Sequence, residues 1–144
     1  CQERKIKPIT TTKELENIIF HCYPRDLRHG KTNPSTRVFQ ALRLEVNREL
    51  EVLTETITQL IPLLRIGGRL AIISFHSLED RIVKNFFNLK IKGPEIPRHI
   101  PLKAHEYFKS RWKLVDKKIK PSEQELLNNT RARSAILRAG VFLG

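Results

Sequence analysis

The stretch Arg69-Leu70-Ala71-Ile72-Ile73-Ser74-Phe75 constrains this chain most. It is entered through Gly67-Gly68 and left through His76-Ser77. A near-continuous apolar run of this length, bounded by turn residues, is the pattern of a parallel strand buried on both faces. Leu78, Ile82, Val83, Phe86 and Phe87 follow at helical spacing, which makes a strand–turn–helix unit. A strand of that kind needs neighbours on both sides. Only two further strands are predicted, Trp112 to Ile119 and Ser134 to Val141. The connection between them, about 15 residues, suits an antiparallel pair at a sheet edge. Three strands are few beside the usual 5–6 or so of a sheet. The fold class expected is α/β with a mixed sheet, in the order α–β–α–β–β after a small helical piece. The remaining strands are expected upstream of Cys1.

Two helical stretches precede that unit. Thr11 or Thr12 is placed to cap a short helix carrying Leu15, Ile18 and Ile19, which Pro24 ends. Arg25 to Ser35 reads as a basic loop. From Val38 to Leu64 apolar residues recur at steps of three and four, predicting one amphipathic helix over 36–65, about 40 Å long at 1.5 Å per residue. Ser35 or Thr36 is its expected N-cap. Pro62 is expected to kink its last turn, and Gly67-Gly68 to provide its left-handed end. Near the C-terminus, Ser122 with Glu125 three residues on predicts a capped helical turn. Gly93-Pro94 through Pro101 reads as a Pro-rich basic connection.

Of the 144 residues, 40% are apolar and 29% charged, which is a globular composition. Lys and Arg exceed Asp and Glu by 27 to 15, a net charge of +12. The surplus is uneven: about +4 over residues 1–40, about +1 over 41–90 and about +7 over 91–144. Such a surplus points to a polyanion, most often nucleic acid, or else to a solubilising surface. Two cysteines make neither a disulfide framework nor a four-thiolate zinc site, and free thiols point to a reducing, cytoplasmic setting. No apolar run reaches the length of a membrane span. No set of His, Cys, Asp or Glu has metal-ligand spacing, and no glycine-rich phosphate loop occurs.

In an open α/β sheet, ligands sit beyond the carboxyl ends of the strands. That places His76, Ser77, Glu79, Asp80, Arg81 and Lys84 at a candidate site. His76 is positioned to hold a polar group. Ser77 and Asp80 equally read as a helix cap with its partner. Arg37, Gln40, Arg43 and Asn47 form a donor stripe on one helix face, suited to phosphates and base edges or simply to Glu–Arg pairs. Arg131 and Arg133, just before the last strand, suit RNA phosphates or bracing of the sheet edge.

Three long motifs share a family likeness. They are S-T-R-V-F-Q-A-L-R-L-E-V-N-R-E-L, G-G-R-L-A-I-I-S-F-H-S-L-E-D-R-I-V-K-N-F-F and K-P-S-E-Q-E-L-L-N-N-T-R-A-R-S-A-I-L-R. In this order they closely resemble the bacterial RsmH (MraW) family over Thr11 to Arg138. The resemblance implies S-adenosylmethionine-dependent methylation of a cytidine N4 amine in small-subunit ribosomal RNA, free or within the 30S subunit. It also implies a class I methyltransferase sheet. The chain would hold the end of an inserted helical substrate-recognition domain (1–36) and the C-terminal half of the catalytic domain (37–144), with the fifth, sixth and seventh strands. The family's Gly-rich G-G-H-S-type loop and D-L-G-V-S-S-type segment do not occur here, so no residue is assigned to S-adenosyl-L-methionine. On the resemblance, Phe75, His76, Ser77, Glu79, Asp80 and Arg81 are expected at the active-site rim, with His76 as the catalytic candidate. Arg37, Gln40, Arg43 and Asn47 are expected to contact RNA or pin their helix to the catalytic half. Arg131, Arg133 and Arg138 match the R-A-R-S-x-x-L-R motif.

Overall fold

The computed structural model describes residues 2–30, 33–93 and 108–144, so the Pro-rich connection expected from Gly93-Pro94 to Pro101 lies largely outside the described residues. The chain forms two compact units, Cys1–Glu49 and Leu50–Gly144.

The first unit is helical. Helix α1 spans Gln2–Ile6, α2 Thr12–Cys22 and α3 Ser35–Val46. Thr11 caps α2 through a capping box: its hydroxyl accepts from the Glu14 N–H at 3.2 Å, and Glu14 accepts from the Thr11 N–H. The Thr10 N–H, then the Lys7 ammonium, hold the Glu14 carboxyl down at about 2. Arg28 closes the other end of α2, donating to the Tyr23 and His21 carbonyls at 2.9 and 3.0 Å. These are the orphan acceptors of a helix C-terminus, where a cation is favoured. Helix α3 begins at Ser35, but neither Ser35 nor Thr36 caps it. Asn33 does that work from outside, accepting from the Ser35 N–H and hydroxyl.

The single long helix expected over 36–65 is two helices. Helix α3 ends at Val46, and α4 runs from Glu49 to Leu60. Between them Arg48 adopts φ 51°, the left-handed conformation that stops a helix. Glu49 gathers the side chains around the break, accepting from Arg43 at 2.9 and 3.0 Å and from Asn47 at 3.1 Å. Pro62 then sits in a 3-10 turn, Ile61–Leu63, as its ring requires.

The second unit carries the sheet. Strand β1 is Arg69–Ser74, helix α5 Ser77–Lys92, β2 Trp112–Ile119, helix α6 Glu123–Asn128 and β3 Ile136–Phe142. Ser122 caps α6 by accepting from the Glu125 N–H at 3.2 Å, as the sequence indicates. The strand order is β1-β3-β2, both pairings antiparallel. The glycine pair extends this sheet: the Gly67 N–H donates to the Phe142 carbonyl, and the Phe142 N–H to that of Gly68.

One face of the sheet meets the helices. Ile57 of α4, Val83 and Phe87 of α5, Leu70 of β1 and Trp112 of β2 form the core. Gly140 of β3 makes it possible: a Cβ there would lie 2.6 Å from the Phe87 ring. Phe86, Phe87, Trp112 and Phe142 add edge-on and tilted ring contacts at 5.2–6.0 Å.

The expectation for β1 is corrected in two respects. It runs antiparallel to its one described neighbour, and it is buried on one face only. Leu70 and Ser74 are covered, while Ala71 and Ile73, on the face away from α5, are exposed, Ile73 by 58%. Alternation puts successive side chains on opposite faces, and helices cover only one of them. The two borders of the sheet also differ. On β2, Lys113, Asp116, Lys117 and Lys118 are exposed and the register shifts twice. Charges and bulges are how natural edge strands avoid further pairing. Strand β1 has regular register and an uncharged run from Leu70 to Ser74.

Candidate active-site rim and nucleic-acid interface

The carboxyl end of β1 is a tight strand-to-helix turn built around Glu79. Its Oε2 accepts from the Phe75 N–H at 2.8 Å and the His76 N–H at 3.3 Å. His76 Nδ1 accepts from the Glu79 N–H at 3.3 Å, so a reciprocal capping box joins His76 and Glu79. The sequence put this cap one residue later, on Ser77 with Asp80; Ser77 is instead the first residue of α5 and exposed. With Nδ1 accepting, the imidazole proton belongs on Nε2. That atom is shielded from solvent and faces Glu79 Oε1 at 3.3 Å, without the alignment of a hydrogen bond. Of the two ring nitrogens, Nδ1 is hydrogen-bonded within the turn, and Nε2 has no hydrogen-bond partner among the described residues.

Asp80 has a different partner. Arg138 of β3 grips it through two N–H groups, Nε to Oδ1 at 2.7 Å and Nη2 to Oδ2 at 3.0 Å. The third arm of Arg138, Nη1, donates to the Lys117 carbonyl of β2. The Arg138 hydrogen bond holds the Asp80 carboxyl below its ordinary range, against desolvation. Both side chains are largely buried. One guanidinium therefore fastens α5, β3 and β2 together at the end of the sheet where β1 terminates. Sequence reasoning treated Arg138 only as part of a motif. A lone arginine inside Ala135-Ile136-Leu137-Arg138-Ala139 was the available signal, because a buried cation requires a carboxylate.

Arg81 and Lys84 are exposed on α5. Arg131 and Arg133 are exposed on a 3-10 turn, Thr130–Ser134, that leads into β3. These residues share the second unit with His76, Ser77, Glu79 and Asp80. The donor stripe stands in the first unit. There Arg37 is exposed, Gln40 is half-buried, and Arg43 and Asn47 both bind Glu49.

The cap assignment predicts a contrast in stability. Glu79→Ala is expected to cost about 1–2 kcal/mol, since it orphans the Phe75 and His76 N–H groups. Ser77→Ala is expected to stay within about 0.5 kcal/mol. Urea unfolding followed by Trp112 emission measures both. Equal costs would return the cap to Ser77.

The MraW methylase family model matches residues 1–141, and the chain belongs to that family. It is 49% identical over 137 residues to the ribosomal RNA small subunit methyltransferase H of Legionella pneumophila (strain Paris), covering 95% of this chain and 44% of that protein. The protein of the same name from Marinomonas sp. (strain MWYL1) is 48% identical over 138 residues, covering 96% and 43%. That of Coxiella burnetii (strain RSA 331 / Henzerling II) is 48% identical over 135 residues, covering 94% and 43%. The chain thus spans less than half the length of the curated relatives it matches. Among the described residues no helix is long and apolar enough to cross a membrane.

Proposed function

We propose that this chain is part of an S-adenosylmethionine-dependent methyltransferase that modifies the N4 amine of a cytidine in small-subunit ribosomal RNA, in the cytoplasm. The family match over residues 1–141 carries the reading. The net charge of +12 supports a polyanionic substrate. In this reading residues 1–36 end a helical substrate-recognition insertion. Residues 37–144 supply the C-terminal half of the catalytic domain, and the border of β1 left open among the described residues receives a further strand.

The described residues do not fit a complete S-adenosylmethionine site. The N–H groups at the end of β1 are bonded to Glu79, and the Asp80 carboxylate is held by Arg138. This chain's part is to shape the rim and hold the RNA. Cytosine N4 is a poor nucleophile, because its lone pair is delocalised into the ring, so the reaction depends on placing the extruded base accurately. His76 serves that placement by fixing the turn it caps, with Ser77, Glu79 and Asp80 beside it. Arg37, Gln40, Arg43, Asn47, Arg81, Lys84, Arg131 and Arg133 serve RNA contact.

The test uses the complete gene product that carries these residues, labelled S-adenosylmethionine and small-subunit RNA, with nucleoside mass spectrometry. N4-methylcytidine is expected. Label on another base, or none, overturns the assignment. His76→Asn keeps a capping side chain and is expected to retain most turnover, whereas His76→Ala loses turnover more than RNA affinity. If His76→Asn is as impaired as His76→Ala, the imidazole itself takes part and the positioning role falls.

A further inference from the structure

The register brings several strand ends to one end of the sheet. Ser74 of β1 pairs with Ile136 at the start of β3, and Ile119 at the end of β2 pairs with Leu137. The turn that precedes β3 carries Arg131 and Arg133, the first turns of α5 carry Lys84, and the last part of β2 leads through Lys117 and Lys118 to Lys120. All six are exposed. Two residues of β2, Lys117 and Lys118, occupy the irregularity opposite the single position Arg138. A bulge adds a residue and re-aims the side chains around it. Arg138 spans this place, bonded to Asp80 on α5 and to the Lys117 carbonyl on β2, so the cations of helix and strand are held on one rigid joint. Lys118 and Lys84 both lie within electrostatic reach of Asp80.

We propose that Lys117, Lys118 and Lys120 complete, with Lys84, Arg131 and Arg133, a basic rim at the carboxyl end of β1 that grips the phosphate backbone of the RNA strand entering the site. The inference rests on the ribosomal-RNA reading above and names the surface that would hold the strand. Lysines on a border strand also discourage edge pairing. That role alone predicts no RNA contact, so the two are separable.

The experiment measures binding of a fluorescein-labelled single-stranded RNA to the complete gene product by anisotropy, between about 50 and 200 mM KCl. Each phosphate contact removed lowers the slope of log affinity against log salt by about 0.7 for single strands. The variant Lys117→Gln/Lys118→Gln/Lys120→Gln is expected to lower it by about 2, so that affinity falls roughly 15–20-fold less across that range. A control, Lys90→Gln/Lys92→Gln/Lys113→Gln, removes three cations nearer the other end of α5 and β2, and is expected to leave the slope unchanged. Circular dichroism melts matching the parent exclude a folding cause. An unchanged slope in the rim variant, with RNA still bound, overturns the rim and leaves the ribosomal-RNA reading standing. Equal flattening by the control overturns the rim as a place. Absence of RNA binding by the parent protein overturns both.

Discussion

Replacing Asp80 with alanine is expected to destabilise the sheet-bearing unit by about 3–5 kcal/mol, the usual cost of leaving a buried charge without its partner. The cause is Arg138, whose guanidinium is largely buried and gives two of its arms to this one carboxylate. Replacing both residues with apolar side chains, Asp80→Leu with Arg138→Met, is expected to cost much less, because no unpaired ion then remains inside. Urea unfolding followed by Trp112, the only tryptophan, reads this unit directly. An equal loss in the double variant would show that packing, not charge, governs the site. The pH dependence has a definite sign. The Asp80 carboxyl is lowered from its ordinary 3.8 by the Arg138 hydrogen bond. Its contribution is fully present above that value and is lost as pH falls through the lowered one. Parent and Asp80→Ala proteins are therefore expected to converge in stability in strong acid.

Phe87→Ala is expected to cost about 3–5 kcal/mol, the range for removing a buried aromatic ring. Phe87 is 2% exposed and packs between Val83, Trp112 and the bare backbone of Gly140. Gly140→Ala approaches the same contact from the other side. Its methyl would enter the space of the ring, and overpacking of this kind costs about 1–3 kcal/mol. The two positions are in contact and should therefore couple. Phe87→Leu with Gly140→Ala is expected to be more stable than the sum of the single changes allows. Strict additivity in denaturant titrations would mean that the ring does not rest on Gly140.

The strands, the Ser122 and Thr11 caps and the turn at Pro62 were legible because each is written in a few adjacent residues. The break at Arg48 was not. Apolar spacing from Val38 to Leu64 passes through it almost undisturbed, and the stop depends on a non-glycine residue in a left-handed conformation. The cap at His76 was missed by one residue, because serine is the commoner capping side chain and histidine competes poorly with it on propensity alone. The Asp80–Arg138 joint links residues 58 apart in sequence, a distance that no local pattern reports. Motif likeness grouped His76, Ser77, Glu79 and Asp80 at one strand end. It did not reveal that Glu79 and Asp80, neighbours in one motif, serve separate elements.

The unequal borders of the sheet have a practical side. Between Leu70 and Ser74 the outward backbone of β1 offers a straight ladder of amides and carbonyls with no lysine, proline or bulge to deter a visitor. Where no other strand occupies it, an identical molecule can dock there and present the same ladder in turn, the first step toward ordered fibres. The feature that suits this strand to a place inside a larger sheet thus makes it adhesive when left bare, and Ile73, outward and greasy, is where a single charge would blunt it.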